Sequence, residues 1–410
     1  MKKEFTDILI IGAGPSGMVS AGYLQQHNIQ IKVIEKQQFP RFVIGESLIP
    51  RCMDNFEEAG LLEVLKKANF QKKHGARFIK KDKIGQFDFS HKFGEGWDWT
   101  WQVPRADFDT ILATEIQSRG IDIAFETEVV AADFNQKNPI ISVKDKTGAI
   151  TEIEAKFVID SSGFGRVLAK LLNLEKPSKL AAHSSLFTHI KETNRPKGKE
   201  GELITFEILE TQVWFWYIPF SNGKTSLGFV APTDWFNQFN TNPEIAFSEM
   251  LAKLEYYKER FNDYPFEFTP KKINHIAKSV KKLYGDNFAL TGNSAEFLDP
   301  IFSSGVSFAT ESGLQAAKLA LAELNGKEVH WQQDYENYMN KGVEVFSSYV
   351  KEWYNGNLQD IIFHQSPNPD LKKQICAVLA GYVWNTENPF VKKHDRIIST
   401  VANFINFKKN

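Results

Sequence analysis

Runs of apolar residues, and the places where they stop, divide this chain into elements. Ile8 to Ile11 is a compact apolar run, the pattern of a strand buried on both faces. It stops at Gly12, and a helical stretch follows from about Pro15 to Gln26. Ile31 to Ile34, closed by Glu35, reads as a second strand, so the first 35 residues form one βαβ unit. Helices are expected over about 50–68 and from Arg105 to Arg119. From Gly75 to Thr100 the pattern alternates, which predicts antiparallel strands. Further strands are predicted at Ile121–Phe125, Ile140–Val143 and Phe157–Asp160, the last entering a turn at Ser161-Ser162-Gly163. Residues 180–280 hold short alternating stretches such as Ser226–Val230, the pattern of an antiparallel sheet lying over the first unit. Phe288–Thr291 returns to the buried-strand pattern, and a helix of small and apolar residues runs from Gly305 to Leu324.

The predicted class is α/β, with a discontinuous Rossmann-type domain over 1–75, 105–175 and 285–325. An antiparallel-sheet substrate domain is expected over 76–104 and 176–284, and a helical C-terminal region over 326–410. No repeat or low-complexity linker separates them, which predicts interleaved parts.

With 410 residues, the chain is long enough to bury a large core. Its 49 basic and 50 acidic side chains nearly cancel, and no basic stripe stands out, so nucleic acid is not an expected partner. Cys52 and Cys376 lie far apart, which argues against a disulfide framework and against a cysteine metal cluster. A reducing cytoplasm fits this usage, and no metal site is expected. No stretch approaches the roughly 20 apolar residues of a membrane span. The 34 phenylalanines and nine tryptophans suit either a large aromatic core or an aromatic-walled pocket, and composition does not separate these.

Chemistry enters with Gly12-Ala13-Gly14-Pro15-Ser16-Gly17, placed directly after a strand and before a helix. Gly12 permits a tight turn, Gly14 lets backbone approach a pyrophosphate, and Gly17 lets helix and strand pack closely. The helix N-terminus, with Ser16 in its first turn, offers free N–H groups to phosphates. Glu35, at the end of the second strand, suits ribose hydroxyls. Gly292-Asn293 follows the late strand, and Asp160-Ser161-Ser162-Gly163 follows the middle one. Aromatic hydroxylases with FAD carry a Gly-Asp pair at the first of these places. Asn293 stands for that Asp here, and its amide can still bind a ribityl hydroxyl. Three elements in this order favour FAD over NAD, with Arg105 and Pro300 added to the expected cofactor-binding residues.

Two further motifs are more specific. They are Trp214-Phe-Trp216-Tyr-Ile218-Pro219 and Phe297-Leu-Asp-Pro300-Ile-Phe-Ser303-Ser-Gly305. In both, the chain resembles the flavin-dependent halogenases, along nearly its whole length. Gly45-Glu-Ser-Leu-Ile-Pro50 is similar to that family's flavin-covering strap, and Leu379–Trp384 with Asn388-Pro-Phe390 to its C-terminal helical part. The resemblance implies a mechanism in which reduced FAD and oxygen give a flavin hydroperoxide, and chloride or bromide then yields hypohalous acid. That oxidant passes through a tunnel to a lysine and an electron-rich phenol or pyrrole, free or carrier-tethered.

The resemblance also implies roles for particular residues. Ser304 and Gly305 would offer N–H groups to halide. Trp214 and Trp216 would keep substrate from the flavin, although two aromatics on one face of a strand are as readily plain core. Lys73 matches the family's lysine best, with Lys80 and Lys81 as competitors. Tryptophan-acting members carry a glutamate where Phe302 stands, so this chain looks more like those acting on phenols or pyrroles. No second glycine fingerprint for a nicotinamide cofactor is present, which points to a separate flavin reductase. Two other readings stay open: a non-halogenating monooxygenase or alkene reductase of the geranylgeranyl reductase type, and a flavin-binding protein without catalysis.

Overall fold

The computed structural model describes residues 2–178, 180–274, 277–364 and 368–407. Five parallel strands form its foundation, in the order Phe288–Leu290, Ile150–Asp160, Lys2–Ile11, Ile31–Ile34 and Asp122–Ala124. The Lys2–Ile11 strand is central, running in register with Ile150–Asp160 from Lys2 opposite Thr151 to Ile11 opposite Asp160. Its residues Ile8, Leu9 and Ile10 have no exposed surface, as the uninterrupted apolar run requires for a strand covered on both faces. Helix Pro15–Gln25 covers one face, and helix Gly305–Leu324 packs along it. Small residues permit that approach: Ser20 Oγ donates to the Gly313 carbonyl at 2.8 Å.

The second sheet has seven strands among the described residues, ordered Lys271–Ile273, His183–Lys191, Lys224–Pro232, Val213–Pro219, Thr205–Glu210, Gly75–Lys80 and Lys83–Asp88. Its pairings are antiparallel except between Thr205–Glu210 and Gly75–Lys80. The Val213–Pro219 strand is buried throughout, because each face of this sheet meets a different core. Trp214, Trp216 and Ile218 face the core shared with the parallel sheet. Phe215 and Tyr217, on the alternate positions, join Phe247, Tyr257 and Phe261 in a separate aromatic core. The period-two geometry of a strand therefore sorts five consecutive large residues between two cores.

The Rossmann-type α/β architecture, the interleaved antiparallel sheet and the C-terminal helices are all present. Predicted helices fall at Pro15–Gln25, Arg105–Ser118 and Gly305–Leu324. Three expectations need correction. Alternation over Gly75–Thr100 gives strands only to Asp88. A short helical turn at Phe89–His91 and a loop follow, because Gly94 and Gly96 take left-handed backbone. Phe157–Asp160 is only the end of an eleven-residue strand whose half-exposed start, Ile150–Lys156, carries polar alternates. Helix Pro243–Leu251 interrupts the stretch expected to be rich in sheet, capped by the Asn242 side chain on the Glu244 and Ile245 N–H groups.

Candidate active site

A cavity of about 580 Å³ lies between the two sheets, within the roughly 300–1,000 Å³ usual for ligand sites. At one end it is walled by the glycine turn. Gly12 has φ +103°, and a Cβ there would collide with the Ser161 carbonyl, so only glycine serves. Gly17 packs its helix against the Gly12 carbonyl and does not line the cavity. Gly14 differs from both: a Cβ would point into the cavity, with the Arg41 guanidinium its nearest neighbour at 3.6 Å. Open space before a helix N-terminus, flanked by an arginine, fits a pyrophosphate.

Charged groups around this end are mutually compensated. Arg105 forks onto Asp109 at 2.8 and 2.9 Å and donates to the Ile44 and Gly45 carbonyls. Arg41 reaches the same Asp109 at 2.9 Å and lies 3.8 Å from Glu35. Glu35 lines the cavity and accepts from the Ala13 and Gln37 N–H groups, both at 2.9 Å. Ser16 Oγ donates to Thr291 Oγ1 at 2.7 Å. Gly292, Asn293 and Pro300 also line the cavity.

Asp160 does not line it. Its oxygens accept from the Ser162 and Leu168 N–H groups at 2.9 and 2.8 Å, and burial pushes its carboxyl above the usual range against those bonds. The side chain braces the turn that carries Ser161, Ser162 and Gly163 into the cavity wall, rather than facing a ligand.

Ser303 takes a left-handed backbone at φ +57° and turns the chain into helix Gly305–Leu324, which Ser304 precedes without a side-chain cap. Ser303 and Gly305 line the cavity, while Ser304 is buried just behind. The first N–H groups of a 20-residue helix have no acceptor within it, so its positive end faces the cavity.

Aromatic and apolar side chains from the second sheet form part of the cavity wall: Trp214, Trp216, Phe206 and Ile218. Trp214 Nε1 donates to Tyr354 Oη at 3.0 Å, which in turn donates to Asp299 Oδ2 at 2.8 Å. His183 stacks on Tyr354 with ring centroids 4.1 Å apart and places Nδ1 3.8 Å from Asp299. This chain of groups ties the tryptophan motif to the Phe297–Gly305 loop. Trp216 Nε1 donates to Ser226 Oγ at 3.0 Å.

Lys73 stands behind the strap. Its side chain is 1% exposed, and Nζ donates to Ser47 Oγ at 2.8 Å and to the Leu48 carbonyl at 2.7 Å. No carboxylate among the described residues pairs with it, and burial pushes its ammonium from 10.5 down to about 7. Lys73 does not itself line the cavity, although Ser47, which it holds, does. Lys80 instead donates to Gln359 Oε1 at 3.0 Å, and Lys81 sits exposed in a hairpin turn at φ +56°.

Comparison with known proteins decides the family. A model of the FAD binding domain family matches residues 5–339. The 1H-pyrrole-2-carbonyl-[peptidyl-carrier protein] chlorinase of Pseudomonas fluorescens is 30% identical, across 92% of this chain and 90% of that protein. The chain belongs to the flavin-dependent halogenase family. The corresponding brominase of Pseudoalteromonas luteoviolacea is 26% identical over 93% of both proteins. Among solved structures, the flavin-dependent brominase Bmp2 superposes with a TM-score of 0.84 at 25% identity, covering 98% of this chain and 100% of that one. A flavoprotein/dehydrogenase from Cytophaga hutchinsonii superposes with a TM-score of 0.97 at 47% identity, covering 99% and 100%.

FAD is therefore the cofactor of this halogenase-family oxidoreductase, and the open space at Gly14 fits its pyrophosphate. Among the described residues, no helix is long and apolar enough to cross a membrane. Reading the sequence alone missed Arg41, Asp299 and Tyr354. Asp299 carried a signal, since it lies inside the Phe297–Gly305 motif, whereas a lone arginine after a strand carried none.

Proposed function

We propose that this chain halogenates an electron-rich aromatic ring of the pyrrole or phenol class, with chloride or bromide as co-substrate. The carrying observation is Lys73, buried without a counter-ion and hydrogen-bonded to the strap at Ser47 and Leu48. An ammonium held near 7 by burial is present in both protonation states around neutral pH. Its protonated form donates a hydrogen bond that polarises hypohalous acid, and its neutral amine can take the halogen as a haloamine, releasing water.

The residues facing the cavity divide the remaining work. Bound FAD, once reduced, supplies the electrons that activate oxygen toward halide. Gly14, Arg41 and the first N–H groups of helix Pro15–Gln25 hold the pyrophosphate, and Glu35 takes the adenosine ribose. Gly292, Asn293, Pro300 and Arg105 complete the flavin's surroundings. Ser304 and Gly305, at the positive end of their helix, bind halide. Trp214 and Trp216 exclude the arene from the flavin end, which disfavours direct hydroxylation. Reduced flavin comes from a separate reductase. Similarity to two carrier-protein pyrrole halogenases supports a pyrrole carried as a thioester.

The test supplies reduced enzyme with oxygen, bromide, a phenol panel and a pyrrole-2-carbonyl group loaded on a carrier protein. Products are read by the bromine isotope pattern. Reoxidation of the flavin with no brominated product from any of these would sink the proposal. One observation favours a second reading, a non-halogenating FAD oxidoreductase. The 47%-identical solved structure is described as a flavoprotein/dehydrogenase. Substrate-dependent flavin reduction without halide incorporation would select it.

A further inference from the structure

Halogenating a ring carbon releases a proton, and Lys73 acts on the oxidant rather than on that proton. Among the described residues lining the cavity the carboxylates are Glu35, Glu46 and Glu128. Glu35 is occupied at the nucleotide end by two backbone N–H groups, and Glu128 pairs with Lys36 at 2.6 Å. Glu46 is different. It is 2% exposed, and its Oε1 lies 2.7 Å from His189 Nε2. Its Oε2 is buried and has no hydrogen-bond partner in the protein. His189 belongs to the strand His183–Lys191 of the aromatic sheet and is fenced by Phe42, Phe220 and Phe268 at centroid distances of 5.1–5.6 Å. A carboxylate oxygen buried without a donor is expensive to maintain, which singles it out for explanation. Phe302 offers no alternative base, packing its ring against Tyr349 and Trp353.

Glu46 and Ser47 are consecutive in the strap, and they tie it to two different groups. Ser47 meets Lys73 and Glu46 meets His189. Resting on the halogenase reading above, we propose that Glu46 accepts the ring proton through Oε2, with His189 as the residue that positions it. The carbon–halogen bond forms as the halogen–oxygen bond of hypohalous acid breaks, its electron pair leaving with oxygen. The ring carbon–hydrogen bond then breaks, its electron pair restores aromaticity, and its proton passes to Glu46. Lys73 protonates the departing oxygen, so arene and hypohalous acid become haloarene and water.

The experiment compares wild-type holoenzyme with Glu46→Gln and Glu46→Asp. The probes are a carrier-loaded pyrrole-2-carbonyl group and free phenol, each with protium or deuterium on the ring. Glu46→Gln keeps the side-chain size and a hydrogen bond to His189 but takes no proton. Its halogenation should slow by about 100-fold, with FAD content unchanged. It should also show a normal primary isotope effect that wild type lacks, because proton loss has become limiting. Glu46→Asp should recover part of the rate and shrink the isotope effect. A wild-type rate in Glu46→Gln, a slowed rate with no isotope effect, or loss of FAD from both variants would overturn the assignment while leaving the halogenase reading intact. Absence of halogenated product from wild type would overturn both.

Discussion

The glycine turn and the strap treat charge in opposite ways. Around the glycine turn every ionised side chain has a partner: Arg105 and Arg41 share Asp109, and Glu35 is held by backbone N–H groups. At the strap, among the described residues, Lys73 is buried with hydroxyl and carbonyl acceptors but no carboxylate, and Glu46 keeps one oxygen unpaired. Compensated charges hold one geometry over a wide pH range, which suits a surface that waits for a cofactor. An uncompensated buried cation moves its titration toward neutrality, which suits a group that must give and take protons. The contrast separates charges suited to holding a ligand from charges suited to exchanging protons.

The largest expected effect tests the glycine turn. Gly14→Val should abolish FAD binding, since its side chain enters open cavity beside Arg41. Apoprotein stability should stay within about 1 kcal/mol. Gly12→Ala should instead unsettle the fold, by roughly 2–4 kcal/mol, through collision with the Ser161 carbonyl and strain at φ +103°. Flavin absorbance and denaturant melts together distinguish the two. Wild-type FAD affinity in Gly14→Val would place the pyrophosphate elsewhere.

Next comes the strap. Lys73→Ala should retain FAD and flavin reoxidation yet lose halogenation by about 100-fold or more. Arginine should rescue poorly, because a guanidinium does not deprotonate at working pH. Full halogenation by the alanine variant would remove Lys73 from the mechanism.

A smaller effect sharpens the electrostatic contrast. The Lys73 ammonium titrates near 7 when folded and near 10.5 when exposed, so between those values the unfolded chain binds more protons. Stability should therefore rise with pH across that window, by up to about 1.4 kcal/mol per pH unit from this group. Lys73→Met should lose that slope. Melts at pH 7, 8 and 9 check it, and parallel slopes for both proteins would show that Lys73 is not desolvated. The smallest effects belong to the competing lysines. Lys80→Ala and Lys81→Ala should shift stability by no more than about 0.5 kcal/mol and leave halogenation near the wild-type rate.

Much of this architecture was legible in the chain itself. The Gly12–Gly17 turn, Glu35 at the end of its strand and helix Gly305–Leu324 follow from local rules: a turn that only glycine can make, an apolar run, a helical period. The tryptophan and Phe297–Gly305 motifs also stand out, because their residues are close in sequence. Asp160 shows where such reading stops. Its place after the middle strand was visible, but the direction of its carboxylate, inward to Ser162 and Leu168, was not.

Among three lysines within nine positions, the resemblance favoured Lys73 over Lys80 and Lys81, but only the fold shows Lys73 buried behind the strap. Glu46 meets His189 across 143 residues, and Trp214 meets Tyr354 across 140. Sequence by itself determined the cofactor, the fold class and the backbone conformation of the glycine turn, because those are set by motifs whose residues are near one another in the chain. Tertiary structure alone decided which ionisable groups lose their water and which find a partner, because desolvation and pairing depend on what the rest of the fold brings alongside.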